Sequence, residues 1–278
     1  MAFQQKTLES NRPFGAHSYR YYQIKHRSQL RAREKQTPQT SSKPIEVIMP
    51  DNRYYTHRLF DFLHEIAVNN NREWFHSHKD TYDALRALWL EDLDRLVTLM
   101  SQWEPGLVSQ SARSCAYRFY RDTRFSQDKS PYKTFLPAAI SPWGRKAHRA
   151  GYYLHMGIDE ENLWGGSGLY GGIWCPASSM LRKLRHAIID NIEEFEEIIN
   201  NPQFLRHFPA WIGDRLKKVP VGWDKNHPQA ELLKLKEYGR LCSCKEAFFR
   251  DPAWVEITAE RFALLKPLVD FINYSLDE

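Results

Sequence analysis

Three runs decide the fold: Phe135-Leu-Pro-Ala-Ala-Ile140, Gly151-Tyr-Tyr-Leu-His-Met156 and Leu169-Tyr-Gly-Gly-Ile-Trp174. Each is apolar or aromatic, bounded by Pro, Gly or Ser, and of strand rather than helix length. In the second run Tyr152, Leu154 and Met156, continued by Ile158, alternate with Tyr153 and His155. That is the two-residue period of a strand with one core face and one other face. Asn162-Leu-Trp164 extends the third run across glycines, and the aromatic-rich stretch Tyr117–Phe125 reads as a further strand. Turn-length links between such strands predict an antiparallel sheet over about 115–175.

Helical periodicity flanks this middle on both sides. Leu59, Phe62, Leu63, Ile66 and Ala67 recur at helix spacing and predict a helix over about 56–68. Asn69-Asn-Asn71 stops it, and a second helix runs from Arg72 to about 100, ended by Pro105-Gly106. Past Pro176, a stripe from Met180 to Ile199 predicts one long helix to about 200. A shorter helix is expected over about 228–239. The last covers about 252–275, with Pro267 expected to kink it. Helices, then strands, then helices indicate an α+β fold: a central antiparallel sheet flanked by N-terminal and C-terminal helices, as one domain over 51–278.

Residues 1–50 have a different character, rich in Gln, Ser, Arg and Pro, and read as a disordered basic extension. A transit peptide and a plain extension both fit it. Met49, just before the first helix, is a candidate start codon. The extension distorts the net charge of +5. Residues 1–48 hold nine cations against three acids, whereas the other 230 hold 30 cations and 31 acids. A nearly neutral body excludes a generally basic, DNA-coating protein. Cys115, Cys175, Cys242 and Cys244 form no CxxC pair and read as reduced thiols of a cytoplasmic protein. For the Cys242–Cys244 pair, spectator thiols and a metal or redox role both remain open. The chain contains no apolar run approaching the ~20 residues of a membrane span, so no membrane partner is expected.

Several blocks together resemble one family. They are Asn69-Asn-Asn-Arg-Glu-Trp-Phe75 with Lys79 and Tyr82, then Tyr120-Arg-Asp-Thr-Arg-Phe-Ser-Gln-Asp-Lys-Ser-Pro-Tyr-Lys133, then Ala150-Gly-Tyr-Tyr153, Gly171-Gly-Ile-Trp-Cys-Pro176, and Val219-Pro-Val-Gly-Trp-Asp-Lys225 with His227-Pro228. In this order, over roughly 56–275, they resemble the family called domain of unknown function 2461. The resemblance implies an α+β fold and a cytosolic protein. It supplies no reaction, cofactor or catalytic residue.

Chemistry must therefore come from the side chains. Between Arg113 and Arg149 nine Arg and Lys face two acids, Asp122 and Asp128, among interleaved tyrosines. Like charges repel, so a ligand of opposite charge would stabilise them. Guanidinium forks bind phosphate or carboxylate bidentately and Lys adds a point charge. The expected site is a basic, tyrosine-rich pocket on the sheet, binding a small anionic ligand through Arg118, Arg121, Arg124, Lys129, Tyr132, Lys133 and Tyr153. His155 is a weak candidate for a catalytic base. The alternative for the arginines is an internal ion-pair ladder, with Asp122 orienting Arg124. Two other functions stay open: single-stranded nucleic-acid binding, with aromatics stacking bases, and a protein-interaction module without catalysis. Gly166-Ser-Gly-Leu-Tyr-Gly171 matches GxGxxG, but the following helix starts too late for a dinucleotide turn, so close approach of another chain segment is expected. His64, His76 and His78 read as a solvated helix face; Asp224 and His227 read as caps of the next helix, with entry into the pocket as the alternative. No cofactor and no metal is expected, and the oligomeric state is not readable.

Overall fold

The computed structural model describes residues 53–158 and 166–277. The extension 1–50, Met49 and the expected strand portion Asn162–Trp164 lie outside these residues. Helix α1 is Thr56–Val68, α2 is Arg72–Ser77 and α3 is Lys79–Ser101, followed by a 3-10 turn at Pro105–Ser109 and the single turn α4, Ala112–Cys115. Strands β1 (Phe135–Ile140), β2 (Gly151–Gly157) and β3 (Ser167–Ile173) come next, then α5 (Ser178–Asp190), α6 (Ile192–Ile199) and α7 (Pro202–His207). The chain ends through β4 (Ala210–Trp211), α8 (Ala230–Leu233), β5 (Tyr238–Cys244), α9 (Glu246–Arg250) and α10 (Trp254–Asp277), which contains Pro267 without being divided by it.

The sheet is antiparallel, with strand order β1-β2-β3-β5-β4. The α+β expectation holds, with two corrections. Residues 117–125 are not a strand; they form a loop joined to β1 by the preceding bridge Ala116↔Ala138 and by Tyr117 N, which donates to Pro137 O at 3.0 Å. The strand filling that place in the count is β5, within and just past the region expected to be helical. Its interior carries Gly239 and Arg240, which hide the apolar period. Arg240 is buried all the same: its guanidinium lies 4.0 Å over the Trp211 ring and donates to Pro209 O at 2.8 Å. Two long helices are also interrupted. His78 separates α2 from α3 and Asn191 separates α5 from α6, although the apolar stripes run on across both breaks.

The long helix α10 covers one sheet face. Its Phe262 ring stands 5.4 Å from that of Tyr152, so Tyr152, Leu154 and Met156 are the core face as their alternation implies. A side chain at Gly171 would meet Leu265 Cδ1 at 2.6 Å, and one at Gly172, at φ +131°, would meet Tyr238 O at 2.1 Å. The glycines of the third run thus admit a helix on one side and β5 on the other.

Helix α10 also packs against α3, where Asp92 is buried. Its Oδ2 accepts from the Tyr54 hydroxyl at 2.5 Å, the Tyr55 hydroxyl at 2.7 Å and Trp254 Nε1 at 3.2 Å. One carboxylate ties the entry of α1 and the start of α10 to the middle of α3.

Candidate functional site

The loop between α4 and β1 doubles back on itself. Tyr120 bridges Tyr132, Arg121 N donates to Pro131 O at 2.9 Å and Lys133 N to Phe119 O at 3.0 Å. Its base is fastened to the N-terminal helices in two ways. The Asn70 side chain accepts from Tyr132 N and donates to Tyr132 O, both at 3.0 Å. Phe75 stacks on Tyr132 at 4.1 Å, and Phe119 lies 4.6 Å from Tyr82. Tyr132 is thus a buried anchor of the loop, with its backbone and ring both engaged.

The tip of the loop consumes the two acids. Arg121 pairs with Asp128, whose carboxylate also accepts from Ser130 N at 2.9 Å and Ser130 Oγ at 2.5 Å. Against the opposing effect of burial, these partners hold Asp128 down at about 2. Arg124 makes a two-point fork with Asp122, at 2.9 and 2.7 Å, and that carboxyl is likewise lowered to about 2 by the Arg124 hydrogen bonds. Both Arg124 and its partner are exposed, and Lys129 donates to Thr123 O at 2.9 Å on the same exposed tip. For Arg121 and Arg124 the ion-pair reading is therefore the structure's answer.

Below the tip the charges are not matched. The Lys133 ammonium donates to Arg118 O at 2.7 Å and stands 5.7 Å from the Tyr117 ring centroid and 5.6 Å from that of Phe135. Burial pushes it down to about 8, helped by Arg118, Arg86, Arg121 and Arg145, whose charges all oppose its own. Arg145 lies over the same Tyr117 ring, 5.6 Å from its centroid, and donates to Ala116 O. Among the described residues no carboxylate forms an ion pair with Lys133, Arg118, Arg86 or Arg145. Arg86 Nη1 is buried without a hydrogen-bond partner there.

Tyr153 and His155 lie on the sheet face opposite the core face, as their alternation implies, but that face is also covered at His155. The imidazole is 1% exposed, stacks on Phe135 at 4.3 Å, and lies 3.4 Å from the Tyr153 hydroxyl through Nδ1. Burial first, and Lys133 second, push it down to about 3. Burial and Lys133 thus hold the imidazole below its ordinary value near ~6.5, which opposes the role of a catalytic base.

A family model described as conserved hypothetical protein (DUF2461) matches residues 58–271. The chain belongs to this family. No curated protein and no solved structure matches it. The DUF2461 span includes the whole loop, the Asn70 clamp and β1–β5. Within it the structure gathers Arg118, Arg121, Tyr132, Lys133, Tyr153 and His155 into one region, and leaves Arg124 and Lys129 at the exposed tip. Arg86, Asn70 and Arg145 were not among the expected site residues. Arg86 had a signal: it is a cation on the Tyr82–Leu85–Trp89 stripe of α3, lying 5.9 Å over the Trp89 ring. Two smaller expectations also change. His78 is buried and stacked 4.0 Å from Trp74, not on a solvated face. His227 and Asp224 form local turns, accepting from Gln229 N and Asn226 N. Among the described residues no cluster of three or more metal-ligating side chains occurs, and no helix is long and apolar enough to cross a membrane.

Proposed function

We propose that the protein binds a small anionic ligand, phosphorylated or carboxylate, at the cations gathered around Lys133. The observation that carries this reading is the company Lys133 keeps: an ammonium depressed to about 8 by burial and four guanidinium groups, with a backbone carbonyl in place of a carboxylate. An anion entering there relieves repulsion among several cations at once. A phosphate, near −2 at neutral pH, relieves more than a single carboxylate. Lys133 supplies the central charge, with Arg118 and Arg86 as the forks free of acids. Arg121, oriented by Asp128, Tyr153 and the face of Tyr117 border the site. Arg124 and Lys129 contribute field from the rim. The four free thiols fit a cytosolic setting.

Nucleic-acid binding is favoured by a different observation: Tyr120 is 50% and Phe125 73% exposed beside the same arginines, available for base stacking. One experiment separates the two. The full chain is screened by thermal shift against phosphorylated metabolites, dicarboxylates and short oligonucleotides at two salt concentrations. Selective stabilisation by one metabolite, lost in both Lys133→Met and Arg118→Ala, supports the small-anion site. Binding to any oligonucleotide with a steep salt dependence, and no metabolite response, replaces it with the nucleic-acid reading.

A further inference from the structure

Cys242 and Cys244 stand two residues apart on β5, so their side chains leave the same face of the strand. The Arg261 guanidinium of α10 spans both: Nη1 donates to the Cys242 sulfur at 3.6 Å and to the Cys244 sulfur at 3.7 Å. Among the described residues no carboxylate pairs with Arg261, and its Nε is buried without a hydrogen-bond partner. Its planar group is held 4.5 Å over the Phe248 ring, which fixes it above the sulfurs. A half-buried guanidinium whose acceptors are two thiols is poorly satisfied while both are protonated, and well satisfied by one thiolate.

We infer that Cys242 is a nucleophilic thiolate site, built by Arg261 and Cys244, whose substrates are hydroperoxides. The electrostatics agree. The neighbouring Cys244 thiol and Arg261 lower Cys242 against burial, while Cys244 is pushed up. A single thiolate, on Cys242, is thereby the favoured charge of the pair. In the reaction the Cys242 sulfur attacks the terminal oxygen of the peroxide. An S–O bond forms, the O–O bond breaks and the alkoxide, or hydroxide for hydrogen peroxide, leaves toward Arg261. The sulfur is oxidised to a sulfenic acid and the peroxide is reduced to the alcohol, or to water, after the leaving oxygen takes up a proton. Residues two apart on a strand have Cα atoms about 6.8 Å apart, at the far end of the disulfide range, so the sulfenic acid is the expected first product. Access is narrow: Cys242 is 8% exposed, and the way to its sulfur is along the half-buried Arg261 side chain of α10.

Cys175 provides an internal control. The residue is exposed, yet its thiol is pushed up to about 12 by burial of the sulfur and by Glu237 and Asp214. Exposure and thiolate character therefore predict opposite orders of reaction. The full chain is treated with limiting iodoacetamide from pH 5.5 to 9.5, and separately with hydrogen peroxide plus dimedone. Sites are assigned by fragmenting the peptides, which separates Cys242 from Cys244. Cys242 is expected to alkylate at least tenfold faster than Cys175 at pH 7, with a rate midpoint below the ordinary thiol value near ~8.5, and to carry the dimedone adduct. Arg261→Met is expected to slow it about tenfold at pH 7. Reaction of Cys175 before Cys242, a Cys242 midpoint above pH 8.5, or no dimedone adduct at Cys242 overturns the inference. The wild-type pH profile decides the matter if Arg261→Met does not fold.

Discussion

Asp92 and Lys133 are both charges drawn out of bulk water, and their surroundings differ completely. Asp92 accepts three side-chain hydrogen bonds, from Tyr54 and Tyr55 at the entry of α1 and from Trp254 at the start of α10. Every donor is committed, and the group has nothing left to offer a ligand. Lys133 is held by one carbonyl and two rings, among guanidinium groups of its own sign. The first arrangement serves folding. The second costs stability and is understandable as a site kept ready for an anion, because functional groups are commonly maintained at the expense of stability.

The contrast predicts opposite responses to deletion. Asp92→Ala leaves three donors facing a void, and is expected to cost roughly 3–5 kcal/mol and lower Tm by on the order of 10 °C. Urea unfolding followed by tryptophan fluorescence measures the loss. Asn70→Ala removes both hydrogen bonds that hold Tyr132, with an expected cost of about 1–2 kcal/mol. It also frees the loop, so limited proteolysis between Asp122 and Ser130 is expected to accelerate. Lys133→Met keeps the aliphatic stem between Tyr117 and Phe135 and removes the repelled charge. Its stability at pH 7 is expected to lie within about 1 kcal/mol of wild type, on the stable side. A loss as large as that from Asp92→Ala would erase the distinction between the two regions.

A finer effect is pH dependence. The Lys133 ammonium is depressed in the folded state, so the unfolded chain binds its proton more tightly. The resulting penalty is fully present below about pH 8 and is relieved as pH rises from there toward the ordinary lysine value near ~10.4. Unfolding free energies at pH 7.5 and 10 are therefore expected to rise more in wild type than in Lys133→Met. An identical change in both proteins removes Lys133 as the source.

Much of this was legible in the chain itself, and what was not has physical causes. Strands β1, β2 and β3 show because their faces differ or their runs are bounded by Pro and Gly; α1 shows because only one of its faces is apolar. Strand β5 does not show: Arg240 occupies a buried position through its contact with Trp211, a partner supplied by β4 that no local pattern announces. The break at Asn191 is hidden by Ile188 and Ile192, which continue the stripe from one helix to the next. The site was legible as a surplus of cations, because counting charges needs no geometry. Which cations are spent was not. Arg121 reaches Asp128 because the loop tip folds back, and Arg86 arrives from a helix that precedes the sheet.

The central claim is that burial and like charges together hold the ammonium of Lys133 down, and that the proposed anion raises it again. Its titration can be followed directly through the lysine side-chain carbon and nitrogen resonances, assigned by comparison with Lys133→Met, with and without inorganic phosphate. The account predicts one lysine titrating near 8 in the free protein, with its midpoint moving upward when phosphate is present. A Lys133 midpoint near the ordinary ~10.4, unchanged by phosphate, contradicts it.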